Sequence, residues 1–251
     1  MNGTSIQVRC EWGASAARAL ASESDVIVIV DVLSFSTCVD VAVSRGGRVL
    51  PYKPNAPGAS TFAQQRQAHL ALPRGEGAFS LSPASFHKLK SGESVVLPSP
   101  NGAMAALAAG RGLVLAGCLR NAAAVASACT HGRRVLVVPA GERWPDGSLR
   151  PCLEDWLGAG AIVSHLPWFS TGEARAATAA FRELQADLPL ALRGCMSGRE
   201  LIERGYPDDV DIAAEVDSSS TVPMYDGEAF TGEPTAAQHG DAPDGAPERR
   251  R

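Results

Sequence analysis

A chain of 251 residues can hold one large α/β domain with a well-buried core, or two small domains. Hydrophobic residues make up 45% of it and charged residues 20%, as is usual for soluble globular proteins, and a formal net charge of -4 gives no reason to expect nucleic acid or an anionic membrane surface as a partner. The N-terminus lacks the apolar core of a signal peptide, and the most apolar stretch, Val26 to Val30, is far too short to span a membrane, so we expect a soluble, cytoplasmic protein.

Predicted strands and helices alternate along the first part of the chain. Alternating or continuous apolar runs predict strands at residues 6–12, 26–30, 48–52, 94–98, 113–116 and 134–138. Helices are predicted at residues 14–21, 36–45, 58–70, 84–90, 101–109 and 121–128, with a Gly- and Pro-punctuated loop, containing one short strand, at 71–83. This alternation predicts βαβ units, and hence a three-layer α/β/α fold in which a mainly parallel sheet carries helices on both faces.

Beyond Cys152 the pattern is mostly helical. Helices are predicted at residues 151–165, 171–187 and 197–204, followed by an acidic stretch at 207–217 and an edge strand at 221–225. Residues 234–251 contain no Val, Ile, Leu, Met or aromatic residue, so they cannot bury enough surface to offset chain entropy. We therefore predict a single α/β domain over residues 1–233 and a disordered tail over residues 234–251.

The six cysteines are predicted to be small buried hydrophobic residues. They form no C-x-x-C pair and no histidine lies at ligand spacing from them, which speaks against zinc, and a cytoplasmic chain is not expected to hold disulfides. These residues are Cys10, Cys38, Cys118, Cys129, Cys152 and Cys195.

A carboxylate, Asp31, ends the first buried strand and so lies at the edge where open α/β sheets hold their ligands. A charge at this edge is costly unless it is paired, hydrogen-bonded or metal-bound, and position alone leaves a chemical role and the capping of the next helix equally open. Some phosphatases use such an Asp as nucleophile, with a second Asp two residues later as general acid. Leu33 stands at that position, which counts against this mechanism.

Two loop-to-helix junctions are candidates for phosphate binding. Ser36 or Thr37 caps a predicted helix, and Thr37 and Asp40 have the spacing of a capping box; either the helix N-terminus offers amides and hydroxyls to a phosphate oxygen, or the pattern is only structural. Asn101 and Gly102 link a strand to a helix, and their consecutive amides form either an anion-binding nest or an ordinary tight turn.

Acidic residues after the last predicted strand of the alternating region complete the candidate site. Glu142 and Arg143 follow that strand, and Glu154 and Asp155 lie in the first turn of the next helix. Acidic residues in a first turn often only offset the helix dipole, and adjacent positions point about 100° apart, so which of Glu154 and Asp155 faces a site is left open. With Asp31, these carboxylates supply the few hard oxygen ligands that Mg²⁺ uses when it keeps several waters.

Several motifs together resemble the 2-phosphosulfolactate phosphatase family, the Mg²⁺-dependent enzymes of coenzyme M biosynthesis. The most specific motif is Leu153-Glu-Asp-Trp-Leu-Gly-Ala-Gly160 in company with Gly141-Glu-Arg143. Weaker matches are Val30-Asp-Val-Leu33, Ser36-Thr37, Phe79-Ser-Leu-Ser-Pro83, Asn101-Gly102 and the segment from Asp209 to Pro223. The resemblance covers nearly the whole chain up to about Tyr225 and implies Mg²⁺-dependent hydrolysis of a small phosphorylated anion.

The chain departs from the family's usual pattern at positions that bear on substrate recognition. The family usually has Arg where this chain has Ser34, an Asp in the segment matching residues 79–81, and a Thr-rich entry to Asn-Gly where this chain has Ser99-Pro100. Phosphate-ester chemistry is expected to survive these changes. Recognition of a sulfonate is less secure, because Arg makes bidentate contacts to an anion that Ser cannot make.

The leading hypothesis is therefore a Mg²⁺-dependent phosphatase of a small anionic phosphomonoester, with 2-phosphosulfolactate as the candidate substrate. Its candidate catalytic residues are Asp31, Arg143 and Glu154, its metal ligands Asp31, Glu142, Glu154 and Asp155, and its phosphate-binding residues Ser36, Thr37, Asn101 and Gly102. Direct attack by water and a covalent intermediate both stay open.

Two alternatives remain. The chain is either a family member that has lost catalysis and binds a phosphorylated metabolite, or a phosphatase with a shifted substrate. A homodimer is the expectation for a cytosolic enzyme.

Overall fold

The computed structural model describes residues 7–110, 112–130 and 132–232, and the tail predicted at 234–251 lies outside these residues. The strands are β1 (Gln7–Cys10), β2 (Val26–Val30), β3 (Arg48–Tyr52), β4 (His69–Leu70), β5 (Ser94–Pro98), β6 (Leu113–Gly117), β7 (Arg134–Pro139), β8 (Glu142–Arg143), β9 (Leu149–Arg150), β10 (Phe169–Ser170), β11 (Met224–Tyr225) and β12 (Phe230–Thr231). The α-helices are α1 (Gly13–Leu20), α2 (Phe35–Ser44), α3 (Ala59–Gln65), α4 (Gly102–Ala109), α5 (Ala122–Cys129), α6 (Leu153–Ser164), α7 (Gly172–Leu184), α8 (Leu188–Gly194), α9 (Met196–Glu203) and α10 (Pro207–Ala213).

Most strands belong to one mixed, mainly parallel sheet in the order β10-β1-β7-β2-β6-β11-β12-β3-β5-β4, while β8 and β9 form a separate hairpin. Neighbours from β10 to β6 pair in parallel, as do β3, β5 and β4. The antiparallel strands β11 and β12 lie between these two groups and pair with β6 and β3. The prediction of an edge strand at 221–225 is therefore wrong, because β11 is inserted inside the sheet.

Helices cover both faces of the sheet, as predicted. Alternate residues of β2 enter two separate hydrophobic cores, with Val26, Val28 and Val30 in one and Ile27 and Ile29 in the other. Side chains of α5 to α10 fill the first core, and side chains of α1, α2 and α4 fill the second. A strand that is buried on both faces has no solvent side, and this explains its unbroken run of β-branched residues.

The helix predicted at 58–70 is too long. Helix α3 ends at Gln65, Gln67 takes a positive φ of 50°, and the chain then joins the sheet as β4, in parallel beside β5. The short strand expected within 71–83 lies here instead. Apolar spacing did not distinguish a short helix followed by a short strand from one longer helix.

The cysteines and the lengths of the helices bear on two further predictions. All six cysteines are buried and free, which confirms their prediction as small core residues. In the described part of the chain, none of the helices has both the length and the apolar character needed to cross a membrane.

Strands β2 and β7 bring the predicted site residues together. They pair in parallel with Val30 opposite Pro139, so the loops that begin at Asp31 and Ala140 start side by side. The connection from β5 to α4 supplies a third loop, which reaches Asp31 through the main chain of Gly102.

Candidate active site

Asp31 lies at the centre of the loops that meet at this edge. Its Oδ1 accepts a hydrogen bond from the Phe35 main-chain N–H (3.1 Å) and its Oδ2 accepts one from Gly102 (2.7 Å). Burial, together with the negative charges of Glu142 and Glu154, raises the pKa of Asp31 to about 7, although the two amide hydrogen bonds act in the opposite direction. The site is therefore short of positive charge around this carboxylate.

Glu142 and Asn101 are directly paired. The Asn101 Nδ2 donates a 2.9 Å hydrogen bond to Glu142 Oε2, while Asn101 Oδ1 is buried and has no hydrogen-bond partner in the described part of the chain. Burial raises the pKa of Glu142, the charge of Glu154 adds to this, and the Asn101 amide and the Arg150 charge oppose it. A buried amide oxygen without a donor is costly, so this oxygen is a natural contact for a cation or a bound donor.

Both carboxylate oxygens of Asp155 accept hydrogen bonds from the main chain. Its Oδ1 accepts a hydrogen bond from the Val32 N–H (2.7 Å) and its Oδ2 accepts one from the Gly141 N–H (2.8 Å). Val32 follows β2 and Gly141 follows β7, so one carboxylate ties the ends of two neighbouring strands together. Burial, followed by the charges of Asp31 and Glu154, raises the pKa of Asp155 well above its usual range.

Glu154, the preceding residue, differs from Asp155 in its contacts. It is also buried, but no main-chain amide in the described residues donates to its carboxylate, which lies beside the Cys195 thiol. Its charge raises the pKa of both Asp31 and Glu142. Of the two acidic residues whose orientation the sequence leaves open, Glu154 is the one whose carboxylate is not held by main-chain amides of the described residues.

Arg143 does not join this cluster. It is exposed on the β8–β9 hairpin, and its guanidinium donates to the carbonyl oxygen of Gly147, in the hairpin turn. Its predicted catalytic role stays a prediction, but the geometry brings another cation close to the carboxylates. Arg150 lies directly opposite Glu142 in the hairpin and is buried.

The sequence contains a signal for this hairpin. Pro145, Asp146 and Gly147 are typical turn residues, Gly147 adopts a positive φ of 83°, and its N–H donates to the Trp144 carbonyl oxygen. Had these three residues been recognised as a hairpin turn, the sequence would have predicted that Glu142 pairs with Arg150. The two flanking strands have only two residues each, so they show no periodicity.

Ser36 and Thr37 do not cap the helix, so the predicted cap and capping box are wrong. Helix α2 begins at Phe35 after Ser34, and the Asp31 carboxylate accepts the Phe35 N–H in place of a side-chain cap. Asp40 is engaged elsewhere, with Arg120 at 2.9 Å.

The two hydroxyls instead hold the loop in which Asp31 lies. Ser36 Oγ accepts the Asp31 N–H and donates to the Ile29 carbonyl oxygen, both at 3.0 Å, and Thr37 Oγ1 donates to the Val32 carbonyl oxygen at 2.7 Å. Their contact with phosphate stays a prediction.

Ser34 contacts a guanidinium from elsewhere in the chain. The family whose motifs this sequence resembles usually has Arg at the position of Ser34. Arg74 Nη2 donates a 2.9 Å hydrogen bond to Ser34 Oγ, and Arg74 Nε lies 3.2 Å from the carboxylate of Asp209. Asp209 also accepts a 2.5 Å hydrogen bond from Ser82. Arg74 lines a cavity of about 330 Å³ together with Pro100, the neighbour of Asn101.

The chain was compared with known protein families and with curated proteins. The family model described as 2-phosphosulpholactate phosphatase matches residues 15–228, which include every residue of the candidate site. None of the curated proteins compared with the chain matches it significantly. A match over this much of the chain shows the family, and it agrees with the resemblance seen in the separate motifs. The chain belongs to the 2-phosphosulpholactate phosphatase family, which supports a phosphatase activity.

Proposed function

We propose that this protein is a Mg²⁺-dependent phosphatase that hydrolyses a small anionic phosphomonoester, with 2-phosphosulpholactate as the first candidate. The observation that carries the proposal is the buried, unpartnered Asn101 Oδ1, which lies among the carboxylates at the ends of β2 and β7, with the Nδ2 group of the same amide bound to Glu142. Family membership supplies the reaction class. The metal requirement and the substrate are the parts that we add.

The side chains at this edge fit a Mg²⁺ ion with a largely hydrated shell. Among the described residues, no three Asp, Glu, His or Cys side chains converge closely enough to hold a metal by themselves. Mg²⁺ commonly needs only one or two carboxylates and keeps several waters. Asp31, Glu142 and the Asn101 amide oxygen would be the protein ligands of the ion. The carboxylate of Glu154 would lie close enough to interact with the charge of the ion.

A bound cation would also compensate the negative charge of the carboxylates in the site. The charges of Glu142 and Glu154 raise the pKa of Asp31, and a divalent ion among them would favour the ionised forms of all three. When bound, Mg²⁺ neutralises charge on a phosphoryl oxygen and makes an attacking water more acidic.

The protein's own groups hold this arrangement rigidly. Two main-chain amides fix both oxygens of Asp31, the Asn101 amide fixes Glu142, and Asp155 fixes the two strand ends on which they stand. Preorganised ligands of this kind need little rearrangement when the substrate binds. We therefore propose that Asp155 contributes to the site by holding the backbone of the two loops, and not primarily as the metal ligand that the sequence predicted.

The test is a phosphate-release assay over a panel of phosphorylated hydroxy acids that includes 2-phosphosulpholactate, with Mg²⁺ or with EDTA. We expect release only with Mg²⁺, and a loss of at least a hundredfold in Asp31→Asn and Glu142→Gln. Glu183→Gln, which changes a carboxylate of α7 away from the site, is the matched control and should keep full activity. Release that persists in EDTA would refute the metal requirement, and calorimetric binding without turnover would favour the non-catalytic alternative.

A further inference from the structure

The β8–β9 hairpin presents different side chains on its two faces. Glu142 pairs with Arg150, and Arg143 pairs with Leu149. Residues directly opposite each other in an antiparallel pair project from the same face of the ribbon, and neighbours along a strand project from opposite faces. Glu142 and Arg150 therefore share the face on which Glu142 meets Asn101, whereas Arg143 projects from the other face.

Arg150 is buried in a way that is unusual for a guanidinium. Only 7% of the residue is exposed, yet in the described part of the chain its guanidinium makes only a 3.6 Å ion pair with Glu200 and a 5.7 Å contact over the ring of Trp144. It donates no hydrogen bond to any described residue and forms no ion pair with Glu142, although its charge is felt there. Burying a cation with so few acceptors is costly unless a further anion completes its contacts.

The position of Arg150 limits which anion this can be. The guanidinium lies on the same face as Glu142 and its charge acts to lower the pKa of that carboxyl, while Glu200 on α9 is its only ion-pair partner in the described chain. A guanidinium offers parallel N–H groups that match two oxygens of one phosphoryl group.

We propose that Arg150 is the phosphoryl-binding cation of this site, and that it contacts the non-bridging oxygens of the substrate's phosphoryl group. This inference rests on the proposed function and gives Arg150 the role that the sequence assigned to Arg143. The contact would hold the phosphoryl group against the metal and would offset the negative charge on its oxygens.

The experiment measures the affinity for inorganic phosphate, the product of the reaction, by calorimetry on the full-length protein with Mg²⁺. We expect Arg150→Gln to weaken phosphate binding at least tenfold and Arg143→Gln to leave it unchanged. These two variants remove the same charge from the two faces of one hairpin, so the change in net charge is matched between them. Glu200→Gln removes the ion-pair partner of Arg150 and should leave phosphate affinity unchanged or stronger.

A conservative pair keeps the test decisive if Arg150→Gln does not fold. Arg150→Lys retains the charge but loses the bidentate fork, so it should bind phosphate several times more weakly than wild type, whereas Arg143→Lys should not. Phosphate affinity at the wild-type level in both Arg150 variants would overturn the inference while leaving the phosphatase activity of the chain standing. Phosphate binding that depends on Arg150 in a protein without turnover would uphold the inference and refute the proposed function.

Discussion

The main-chain N–H of Gly102 donates a 2.7 Å hydrogen bond to Oδ2 of Asp31, and so joins the first residue of α4 to the end of β2. This contact also places Asn101 beside Glu142. A Cβ atom on residue 102 would lie 2.7 Å from Asp31 Oδ2 and 2.5 Å from Phe35 Cδ1. Only glycine allows the main chain to approach the carboxylate this closely.

Gly102→Ala is therefore expected to displace the loop that carries Asn101. We expect a loss of stability of about 1 to 3 kcal/mol from overpacking, and a loss of phosphatase activity of more than tenfold. Urea unfolding and steady-state kinetics measure the two effects. Gly172→Ala is the control, because a Cβ there meets no atom within 4 Å and the residue opens helix α7, so it should be neutral or slightly stabilising. Equal behaviour of the two variants would contradict the packing argument.

Replacements of Glu154 and Asp155 should separate activity from stability. Asp155→Ala leaves the buried N–H groups of Val32 and Gly141 without their acceptors, and we expect it to cost roughly 2 to 5 kcal/mol of stability. Glu154→Gln removes a carboxylate that accepts no main-chain hydrogen bond among the described residues, so it should fold with near wild-type stability and lose activity. Denaturant melts together with kcat measurements decide this, and a stable but inactive Asp155→Ala would reverse our assignment of the two roles.

The stability of the metal-free protein should fall with rising pH because of Asp31. Its pKa is raised from an ordinary value of 3.8 to about 7, so between these values the folded protein holds a proton that the unfolded chain has released. Stability is therefore lost as the pH rises through this window, and the loss is complete above about pH 7. In EDTA, the stability of Asp31→Asn relative to wild type should increase from pH 4 to pH 8 by up to roughly 4 kcal/mol. A constant difference between the two proteins over this range would show that Asp31 ionises at its ordinary pKa.

The sequence predicted the carboxylates of the site better than its cations, and the reason is physical. Asp31 directly follows a long buried strand, and Glu142 follows another, so the rule for strand ends in open α/β sheets was enough to bring them together. Arg150 joins them only through a hairpin whose strands have two residues each. Arg74 and Asp209 meet across 135 residues and lie on a loop and a helix that no local pattern connects.

The Arg74–Asp209 pair should be a strong but replaceable contribution to stability. The Arg74 side chain is 12% exposed and that of Asp209 is 2% exposed, so Asp209→Ala leaves a largely buried guanidinium without its counter-ion and should cost about 3 to 5 kcal/mol. The double variant Arg74→Met/Asp209→Leu removes both charges and should recover most of this loss in urea unfolding. A double variant as unstable as Asp209→Ala would mean that the hydrogen bonds to Ser34 and Ser82 matter more than the buried charge.

Asn101 should control the affinity for Mg²⁺ through the oxygen that has no partner in the described structure. In Asn101→Ala the buried Oδ1 is gone and Glu142 loses the 2.9 Å hydrogen bond that fixes its orientation, so two of the three proposed ligands are affected. We expect Mg²⁺ binding, measured by calorimetry without substrate, to weaken at least tenfold. Asn55→Ala, at an asparagine that lines the neighbouring cavity, is the matched control and should bind Mg²⁺ as wild type does.

Asn101→Asp separates the two contributions, because it keeps an oxygen at this position but adds a negative charge beside Glu142. Without metal this variant should be less stable than wild type at neutral pH, and Mg²⁺ should raise its melting temperature more than it raises that of the wild type. If Mg²⁺ stabilises wild type and Asn101→Ala to the same extent, the ion binds away from Asn101 and the proposed ligand set is wrong.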